Sequence, residues 1–415
     1  MSELINKLEL AKNASYTIKN LSQAEKNRVL ESMASMILDN KEYIKNENKT
    51  DVLNARENGM KESMIDRLVL NDERIDSIVS GIRKVISLTD PVGEITSMWE
   101  RPNGIRIGRK RVPIGVIGII YEARPNVTVD AAVLCLKTSN VTVLKGGKEA
   151  IKTNIALVKI MQEALKKEGL PENAVSIIED TQRETTIEFM KQNNYLDVLI
   201  PRGGQGLIKA VVENATVPVI ETGTGNCHVY IDKYYDKEKA INITINGKVQ
   251  RPSVCNALES IVVHKDVAEE FLPVICELLK EKNVIIKGCQ KTLEIVDDIE
   301  KASEEDFYKE YNDLIISVKV VDNIDDAIMH INKCSTGHSE TIITENYTNA
   351  EKFLNEVDSA CVYVNASTRF TDGFEFGFGA EIGISTQKLH ARGPLGLNEL
   401  TTNKYVIYGN GQVRG

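Results

Sequence analysis

The sequence has neither a long apolar run nor an export signal. Its longest apolar stretch, near 112–120, is far shorter than the roughly 18 residues that a membrane-spanning helix needs. The first 19 residues mix apolar with charged side chains and contain no signal-peptide cleavage pattern. The sequence therefore predicts a protein that does not enter a membrane and stays in the cytoplasm.

An excess of basic residues is also missing. Lys and Arg total 51 against 60 Asp and Glu, which gives a net charge of −9 at pH 7. The basic residues are scattered, whereas nucleic-acid-binding proteins usually carry a basic patch or stripe. The charge pattern therefore argues against a nucleic-acid partner. It leaves anionic metabolites open, because a few Lys and Arg side chains can act inside a site at any net charge.

Disulfide and zinc frameworks are absent from the pattern as well. The seven cysteines are odd in number, widely spaced and without a Cys-x-x-Cys pair, which indicates buried thiols in a reducing compartment and no metal site. Cys135, Cys276 and Cys361 lie in apolar stretches, and we expect them in the core. Cys289 and Cys334 lie in polar stretches and are expected as surface thiols.

The chain is long enough for two or three domains. The first 90 or so residues have helical periodicity, with a capping box at Ser22 and Glu25. From 112 onward, short apolar runs alternate with helical stretches, which predicts a parallel sheet covered by helices on both faces. The predicted strands are 115–120, 141–144, 175–178, 198–200 and 217–220, and the helices between them are 127–138, 149–168, 182–193 and 205–215.

A second alternating series, and with it a second α/β domain, begins near Asn226. The last predicted strand, 404–408, lies beyond this domain and must pair with another segment, either 105–111 or a strand of another subunit. The predicted strands are 229–231, 260–263, 284–286, 318–321, 341–343 and 361–364, with helices at 266–282 and 323–333.

Two glycine-rich turns follow predicted strands, although a Gly-x-Gly-x-x-Gly fingerprint is missing. The turns are 145–148 and 201–204, and open α/β sheets bind ligands at the carboxyl ends of their strands. The Lys145 ammonium can bind a ribose hydroxyl or a phosphate. The glycines beside it let the backbone approach a phosphate closely. An ordinary turn explains the glycines equally well.

Cys255 differs from the other cysteines because it lies in a polar turn, 250–257, that leads into a predicted strand. A thiol there can be exposed and activated by the positive charge of Arg251. His338 lies on a polar loop and is a candidate for substrate contact. From the local sequence alone, both a nucleophile and an ordinary turn thiol remain open at Cys255.

The chain contains eight distinctive sequence blocks, in this order: YEARPNVTVDAA, LKGGKEA, LIPRGGQGL, VIETGTGNCHVYID, QRPSVCNALE, GHSETI, EFGFGAEIG and HARGPLGLNELTT. Together they resemble the aldehyde dehydrogenase superfamily and, within it, the gamma-glutamyl phosphate reductase family. Glu221 precedes Cys255 by 34 residues, as in the superfamily pattern. Two departures are Thr222–Gly223 in place of Leu-Gly-Gly after Glu221, and Cys334 where these reductases usually have an aromatic residue or His.

The resemblance implies an aldehyde dehydrogenase-like α/β fold with two doubly wound parallel-sheet domains and a small oligomerisation β-arm. The N-terminal helices and the NADP-binding domain would occupy 1–225, interrupted by 95–111. The catalytic domain with the nucleophilic Cys would occupy 226–395. Strands from 95–111 and 396–415 would form the arm of a homo-oligomer.

The implied activity is the NADPH-dependent reduction of L-glutamyl 5-phosphate to L-glutamate 5-semialdehyde and phosphate, the second step of proline synthesis from glutamate. The resemblance implies NADPH/NADP as cofactor, no metal, a cytoplasmic location and transient contact with glutamate 5-kinase. It implies no nucleic-acid or membrane partner. A CoA-acylating or hydrolytic aldehyde dehydrogenase is the enzymatic alternative, with Glu221 as the base for hydrolysis. A non-catalytic relative is the alternative of another class, and it would be expected to lack the nucleophile or the oxyanion-binding Asn, both of which this sequence has.

The resemblance also assigns roles to individual residues. The Cys255 thiolate would attack the acyl phosphate and form a thioester, while the Asn126 amide and the Cys255 backbone N–H stabilise the oxyanion. The implied substrate contacts are Arg124, Arg251 and His338, and the implied cofactor contacts are Lys145, Gly146, Gly147, Gly203, Gly204, Glu221 and Glu310.

Overall fold

A computed structural model describes residues 2–414, which form two compact α/β units. The first unit contains the described residues of Met1–Glu221, Gly377–Gly383 and Leu395–Gly415, and the second contains Thr222–Phe376 and Ile384–Pro394. The sequence predicted a boundary near Asn226 and an undivided second domain to 395. The structure assigns 377–383 to the first unit, where Gly379 packs closely against Leu88.

Helices and strands alternate along most of the chain. The α-helices are α1 (Glu3–Ile18), α2 (Gln23–Asp39), α3 (Lys41–Glu57), α4 (Glu62–Leu68), α5 (Asp72–Ser87), α6 (Pro125–Lys137), α7 (Ile151–Lys167), α8 (Arg183–Phe189), α9 (Gln205–Asn214), α10 (Lys237–Val249), α11 (Lys265–Glu281), α12 (Gln290–Leu293), α13 (Ile324–Cys334) and α14 (Tyr347–Glu356). The strands are β1 (Ile95–Glu100), β2 (Arg106–Pro113), β3 (Val116–Tyr121), β4 (Val141–Gly146), β5 (Val175–Ile177), β6 (Val198–Arg202), β7 (Cys227–Ile231), β8 (Leu258–His264), β9 (Ile285–Gly288), β10 (Glu300–Lys301), β11 (Ile315–Val321), β12 (Ser339–Ile343), β13 (Cys361–Val364), β14 (Ile384–Ser385), β15 (Gly393–Pro394) and β16 (Thr401–Tyr408).

In the first unit, helices α1 to α5 precede a parallel sheet with the strand order β5-β4-β3-β6. The capping box predicted at the start of α2 is confirmed: the Ser22 hydroxyl accepts from the Glu25 N–H, and the Glu25 carboxylate accepts from the Ser22 N–H at 2.8 Å. All residues of β3 and β4 are buried, as expected for central strands covered on both faces.

The predicted strand at 217–220 is wrong. The segment makes only an isolated bridge, Leu199 to Val219, beside β6. Pro218 has no N–H to donate to a ladder, so continuous pairing cannot extend through this segment. Leu199 N donates to the Pro218 carbonyl at 2.8 Å, and Ile220 N donates back to the Leu199 carbonyl at 2.9 Å.

The terminal strand β16 pairs within the chain. Its residues lie antiparallel to β2 from Thr401 opposite Pro113 to Tyr408 opposite Arg106, and β1 pairs with the other side of β2. Of the two partners that the sequence left open for 404–408, the structure contains the one at 105–111. The side chains of Trp99 and Tyr405 meet edge to face with ring centroids 6.3 Å apart, and both remain exposed.

The second unit is built on a parallel sheet of seven strands, in the order β10-β9-β11-β8-β7-β12-β13. Alternate residues of its central strands pack into different cores. Val229 and Ile261 face α10 and α11, whereas Tyr230 and Val262 face α13 and α14. Both faces are therefore covered, and the predicted class of two doubly wound parallel-sheet units is confirmed.

The described helices include none that is long and apolar enough to cross a membrane.

Candidate functional site

The Cys255 thiol lies in the turn that precedes β8 in the second unit, and the residue is half-buried. The first residue of β7 and the segment before it contact the backbone of this turn. The fully buried Cys227 thiol donates to the carbonyl oxygen of Cys255 at 3.2 Å. Gly225 approaches so closely that a Cβ there would lie 1.4 Å from the same carbonyl oxygen. Only glycine fits at 225 without displacing the backbone of Cys255.

The segment 368–371 fastens both ends of this turn. The Asn256 side-chain amide donates to the carbonyl oxygens of Arg369 and Thr371 at 3.2 and 2.9 Å, and the Thr368 hydroxyl donates to the Asn256 carbonyl at 2.8 Å. Nε of Arg369 donates to Oε1 of Gln250 at 2.9 Å. The turn that carries Cys255 is therefore held from a segment more than a hundred residues further along the sequence.

Two guanidinium groups lie near the thiol. Burial and the positive charge of Arg251 lower the pKa of Arg369, while the negative charges of a Cys255 thiolate and of Asp372 oppose this shift. Arg369 stays charged, since guanidinium groups do not lose their proton in proteins. Arg251 is exposed and Arg369 half-buried. Positive charge beside a cysteine favours its nucleophilic thiolate form.

A buried ion pair lies beneath the same turn. Lys248 of α10 donates to Glu259 of β8 at 2.7 Å, and both side chains are fully buried. Burial raises the pKa of Glu259 to about 7, and the nearby Lys248 ammonium opposes the rise. The other carboxylate oxygen of Glu259 accepts from the backbone N–H of Asn312 at 3.2 Å. This pair therefore connects the helix before the turn, the strand after it and the loop that carries Glu310.

Glu310, an implied cofactor contact, faces the same region of the second unit. Its carboxylate accepts from the Gly225 N–H at 2.8 Å, and its negative charge contributes to raising the pKa of the buried Cys227 thiol, for which burial is the main cause. Glu310 thus contacts the residue that packs against the Cys255 carbonyl.

His338 lies in the short loop that precedes β12, as the sequence predicted, but its side chain is buried. Nδ1 of His338 lies 2.8 Å from the Ser339 hydroxyl and 3.8 Å from the Cys227 sulfur. Cys334, expected at the surface, is also buried, with its sulfur 3.6 Å from Nδ1 of His330. Both side chains are therefore buried although the segments around them are polar in sequence.

The remaining cysteines follow their patterns more closely. Cys135, Cys276 and Cys361 are buried as predicted, and Cys289 is half-buried rather than at the surface, with its sulfur accepting from the Val320 N–H at 3.4 Å. Among the described residues, no group of three or more His, Cys, Asp or Glu side chains is arranged to hold a metal ion.

The first unit contains a cavity of about 300 Å³ at the carboxyl ends of β3 and β4. Lys145, Gly146 and Gly147 line it, as do Thr181 and Arg183 at the start of α8. Burial lowers the pKa of Lys145, opposed by the negative charge of Asp180. The Lys145 ammonium makes no hydrogen bond or ion pair to any residue in the described range 2–414. A cation that is partly desolvated and has no protein partner is suited to an anionic or hydroxyl-bearing ligand.

The second glycine-rich turn lies beside this cavity. The backbone N–H of Gly204, the residue before α9, donates to the carboxylate of Glu122 at 3.0 Å, and Glu122 lines the cavity. A Cβ at Gly203 would lie 2.8 Å from the Glu122 side chain. The start of α9 therefore already receives a negatively charged group, as expected for the N-terminus of a helix. The structure thus brings the residues of the two predicted turns to one edge of the sheet.

Asn126 and Arg124 lie at the start of α6, with Arg124 at its N-cap and Asn126 exposed. The Asn126 amide donates to the carboxylate of Asp130 at 3.1 Å. Burial raises the pKa of Asp130 to about 6, opposed by the Asn126 hydrogen bond and by the charge of Arg202. Glu221 is half-buried and lies in the irregular segment at the end of the first unit.

Sequence reasoning missed five polar residues of these two sets. Asp130 and Glu259 stand inside the quoted sequence blocks, where a charged residue among apolar ones was a usable signal. The other three lie outside the blocks, and nothing local distinguishes them from ordinary charged residues. They are Lys248, Arg183 and Arg369.

Comparison with known proteins adds three results. The aldehyde dehydrogenase family model matches residues 2–292 and 307–406. A gamma-glutamyl phosphate reductase of Clostridium botulinum is 59% identical over 414 residues, and one of Caldicellulosiruptor saccharolyticus is 61% identical over 418, each alignment covering 100% of both chains. The crystal structure of gamma-glutamyl phosphate reductase from Thermotoga maritima is similar with a TM-score of 0.99 and 53% identity, covering 100% of both chains.

Proposed function

Because the chain belongs to the aldehyde dehydrogenase family, we propose that it reduces L-glutamyl 5-phosphate to L-glutamate 5-semialdehyde and phosphate with NADPH. The observation that carries this proposal is the full-length similarity to reductases named for that substrate, at 59–61% identity. Cys255, in its braced turn beside two guanidinium groups, supplies the nucleophile that such a reaction needs.

Cys255 opens the reaction by attacking the C5 carbonyl of the acyl phosphate. The sulfur–carbon bond forms, the bond from C5 to the phosphate oxygen breaks, and a thioester remains on Cys255. The Cys255 backbone N–H and the Asn126 amide are the proposed donors to the oxyanion of the tetrahedral intermediate. NADPH, when bound, would supply a hydride to the thioester carbon, and the Cys255 sulfur would then leave with the electron pair of the carbon–sulfur bond as the aldehyde forms. Glu221 and Arg124 are proposed cofactor and substrate contacts, respectively.

The cavity of the first unit fits the adenosine end of a phosphorylated dinucleotide. Lys145 and Arg183 place two cations on its wall, which suits a ribose that carries a 2′-phosphate. Gly146, Gly147, Gly203 and Gly204 leave room for the backbone to approach the phosphates. We expect NADP to be preferred over NAD because NAD has no phosphate to pair with these cations.

The proposed reaction predicts a phosphate requirement that separates it from the alternatives. In the reverse direction, the purified protein should reduce NADP with glutamate 5-semialdehyde only when inorganic phosphate is present, and NAD should be the poorer acceptor. Activity with CoA in place of phosphate would instead identify a CoA-acylating enzyme. Activity with neither would identify the hydrolytic alternative, in which Glu221 activates water.

The assembly and location of the protein belong to the same proposal. Members of the family act on small molecules and are commonly oligomeric, and we propose a homo-oligomer in which β1, β2 and β16 form the arm. The exposed side chains of Trp99, Tyr405 and Ile407 support this, since an open sheet edge with apolar side chains favours association.

We also propose that the protein is located in the cytoplasm and makes transient contact with glutamate 5-kinase.

A further inference from the structure

We propose that Arg369 and Arg251 together bind the phosphate of the acyl phosphate, beside the thiol that displaces it. This inference rests on the proposed function and adds two points to it. Arg369 becomes a substrate-binding residue, and the phosphate and the carboxylate of the substrate bind to different residues. The substrate carries a phosphate on the carbon under attack and a carboxylate at the other end of the molecule. The two guanidinium groups would bind the phosphate.

The position of Arg369 is fixed from three directions by hydrogen bonds. Its Nε donates to Gln250 at 2.9 Å, and its carbonyl oxygen accepts from the Asn256 amide at 3.2 Å. The preceding residue, Thr368, donates to the Asn256 carbonyl at 2.8 Å. Because Gln250 and Asn256 flank the turn that contains Cys255, these contacts hold the guanidinium over that turn.

The remaining donors of Arg369 have no acceptor in the described part of the chain. Its two terminal nitrogens make neither a hydrogen bond nor an ion pair there, and Arg251 makes none at all within the same range. A guanidinium presents parallel N–H donors that match two oxygens of a phosphate. With Nε committed to Gln250, the terminal nitrogens of Arg369 are the ones left for a ligand.

Charge at this position favours an anion. Arg251 and Arg369 are both positive and lie within electrostatic range of each other and of Cys255. Asp372 is the nearby carboxylate, and its Oδ1 already accepts from the Phe374 N–H at 2.8 Å and the Glu375 N–H at 3.4 Å. Two cations held together are stabilised by a bound anion with more than one negative charge, which describes a phosphate better than a carboxylate.

The same arrangement assists the chemical step. As the sulfur–carbon bond forms, the electron pair of the breaking C5–O bond moves onto the phosphate oxygen, and the negative charge of the departing phosphate increases. Guanidinium donors already in place stabilise this developing charge without reorganisation. Arg369 would therefore contribute to phosphate binding and to its departure, while the α-carboxylate binds elsewhere.

The test measures KM for phosphate and for glutamate 5-semialdehyde separately, in the reverse reaction, with wild-type protein, Arg369→Gln, Arg369→Lys and the surface control Arg83→Gln. Losing charge-assisted hydrogen bonds to a phosphate should raise its KM about 10- to 100-fold in Arg369→Gln, with the semialdehyde KM changed less than about twofold. Arg369→Lys should recover part of the loss, because it keeps the charge but not the paired donors.

Acylation of Cys255 by a neutral ester, p-nitrophenyl acetate, provides a phosphate-independent readout in the same variants. Arg369→Lys keeps the positive charge that favours the Cys255 thiolate and should stay near the wild-type rate. Arg369→Gln loses that charge and should acylate more slowly, by a smaller factor than the rise in its phosphate KM. A raised semialdehyde KM with an unchanged phosphate KM would assign Arg369 to the carboxylate and overturn the inference. Loss of ester acylation in both Arg369 variants would overturn it too, since the residue would then act on the thiol or on the turn. If wild-type protein shows no phosphate-dependent activity, the proposed function itself fails.

Discussion

The side-chain amide of Asn126 donates to the carboxylate of Asp130 at 3.1 Å, one turn further along α6. An amide that must donate to an oxyanion has a second N–H, and this bond sets the direction in which that second N–H points. We therefore expect Asp130 to position Asn126, the proposed oxyanion donor. Burial raises the pKa of Asp130 to about 6. The hydrogen bond from Asn126 to Asp130 therefore weakens as the pH falls through 6 and the carboxylate becomes protonated.

Replacing Asp130 should change the pH profile of the enzyme. Above pH 6 the ionised carboxylate binds the Asn126 amide strongly, and below it the protonated group binds it weakly. We expect kcat of the wild type to fall as the pH drops through 6 and Asp130→Asn to lose that part of the profile, with a lower kcat at pH 8. An unchanged profile in Asp130→Asn would show that Asp130 does not position Asn126.

The same substitution should affect stability in a defined direction. The folded-state pKa of Asp130 is above its ordinary value, so the folded protein holds this proton more tightly than the unfolded chain does. Stability from this group is therefore largest below the unfolded pKa and decreases as the pH rises towards 6. Asp130→Asn should be more stable than the wild type at pH 7, measured by urea unfolding, and the difference should shrink at pH 4.

Asn126→Ala tests the donor itself. Removing an oxyanion donor should lower kcat about 10²–10³-fold, because the hydrogen bond is made chiefly in the transition state. The KM for the semialdehyde should change little. A raised KM with an unchanged kcat would instead place Asn126 in ground-state binding.

Cys255→Ser should abolish reduction. Losing the nucleophile typically costs about 10⁴-fold or more, because no thioester can form. Cys289→Ser is the matched control, since Cys289 is also half-buried but lies away from the Cys255 turn in sequence. Mass spectrometry after incubation with an activated ester should show one acyl group on the wild type and on the control, and none on Cys255→Ser. Substantial activity in that variant would refute covalent catalysis.

The Lys248–Glu259 pair should matter for stability. Both side chains are fully buried, and removing one partner leaves an uncompensated charge that costs about 3–5 kcal/mol. Lys248→Met should therefore lower the free energy of unfolding by about that amount at pH 8, and Lys248→Met/Glu259→Leu should recover most of it. If the double variant is as unstable as the single one, packing rather than charge explains the loss.

The arm predicts the association state. β16 pairs with β2 along eight residues, and no strand within residues 2–414 pairs with its other edge. Deletion after Leu400 should therefore yield monomers or aggregate without activity. Ile407→Lys is the milder test, because Ile407 is 64% exposed and its change leaves β2 paired. Light scattering should show weakened association in both. An active full-length monomer at working concentration would contradict the proposed arm.

Local patterns predicted most of the elements. The capping box at Ser22 and the apolar runs of β3, β8 and β13 identify helices and strands because each depends on neighbours within a few residues. The local pattern did not predict α10, because this helix contains β-branched residues and its apolar side chains do not recur on one face. The strand at 217–220 failed because Pro218 lacks the donor that a ladder needs.

The sequence by itself also determined the family, and it predicted the nucleophile, since the motif around Cys255 is contiguous and its spacing from Glu221 is readable along the chain. Only the tertiary structure decided which residues surround it. The burial of Cys334 at the end of α13, and of His338 in the loop before β12, depends on packing between segments that are distant in sequence. The position of Arg369 over the Cys255 turn depends on hydrogen bonds between segments distant in sequence. Such contacts follow from packing and not from local periodicity, so no pattern within either segment could have revealed them.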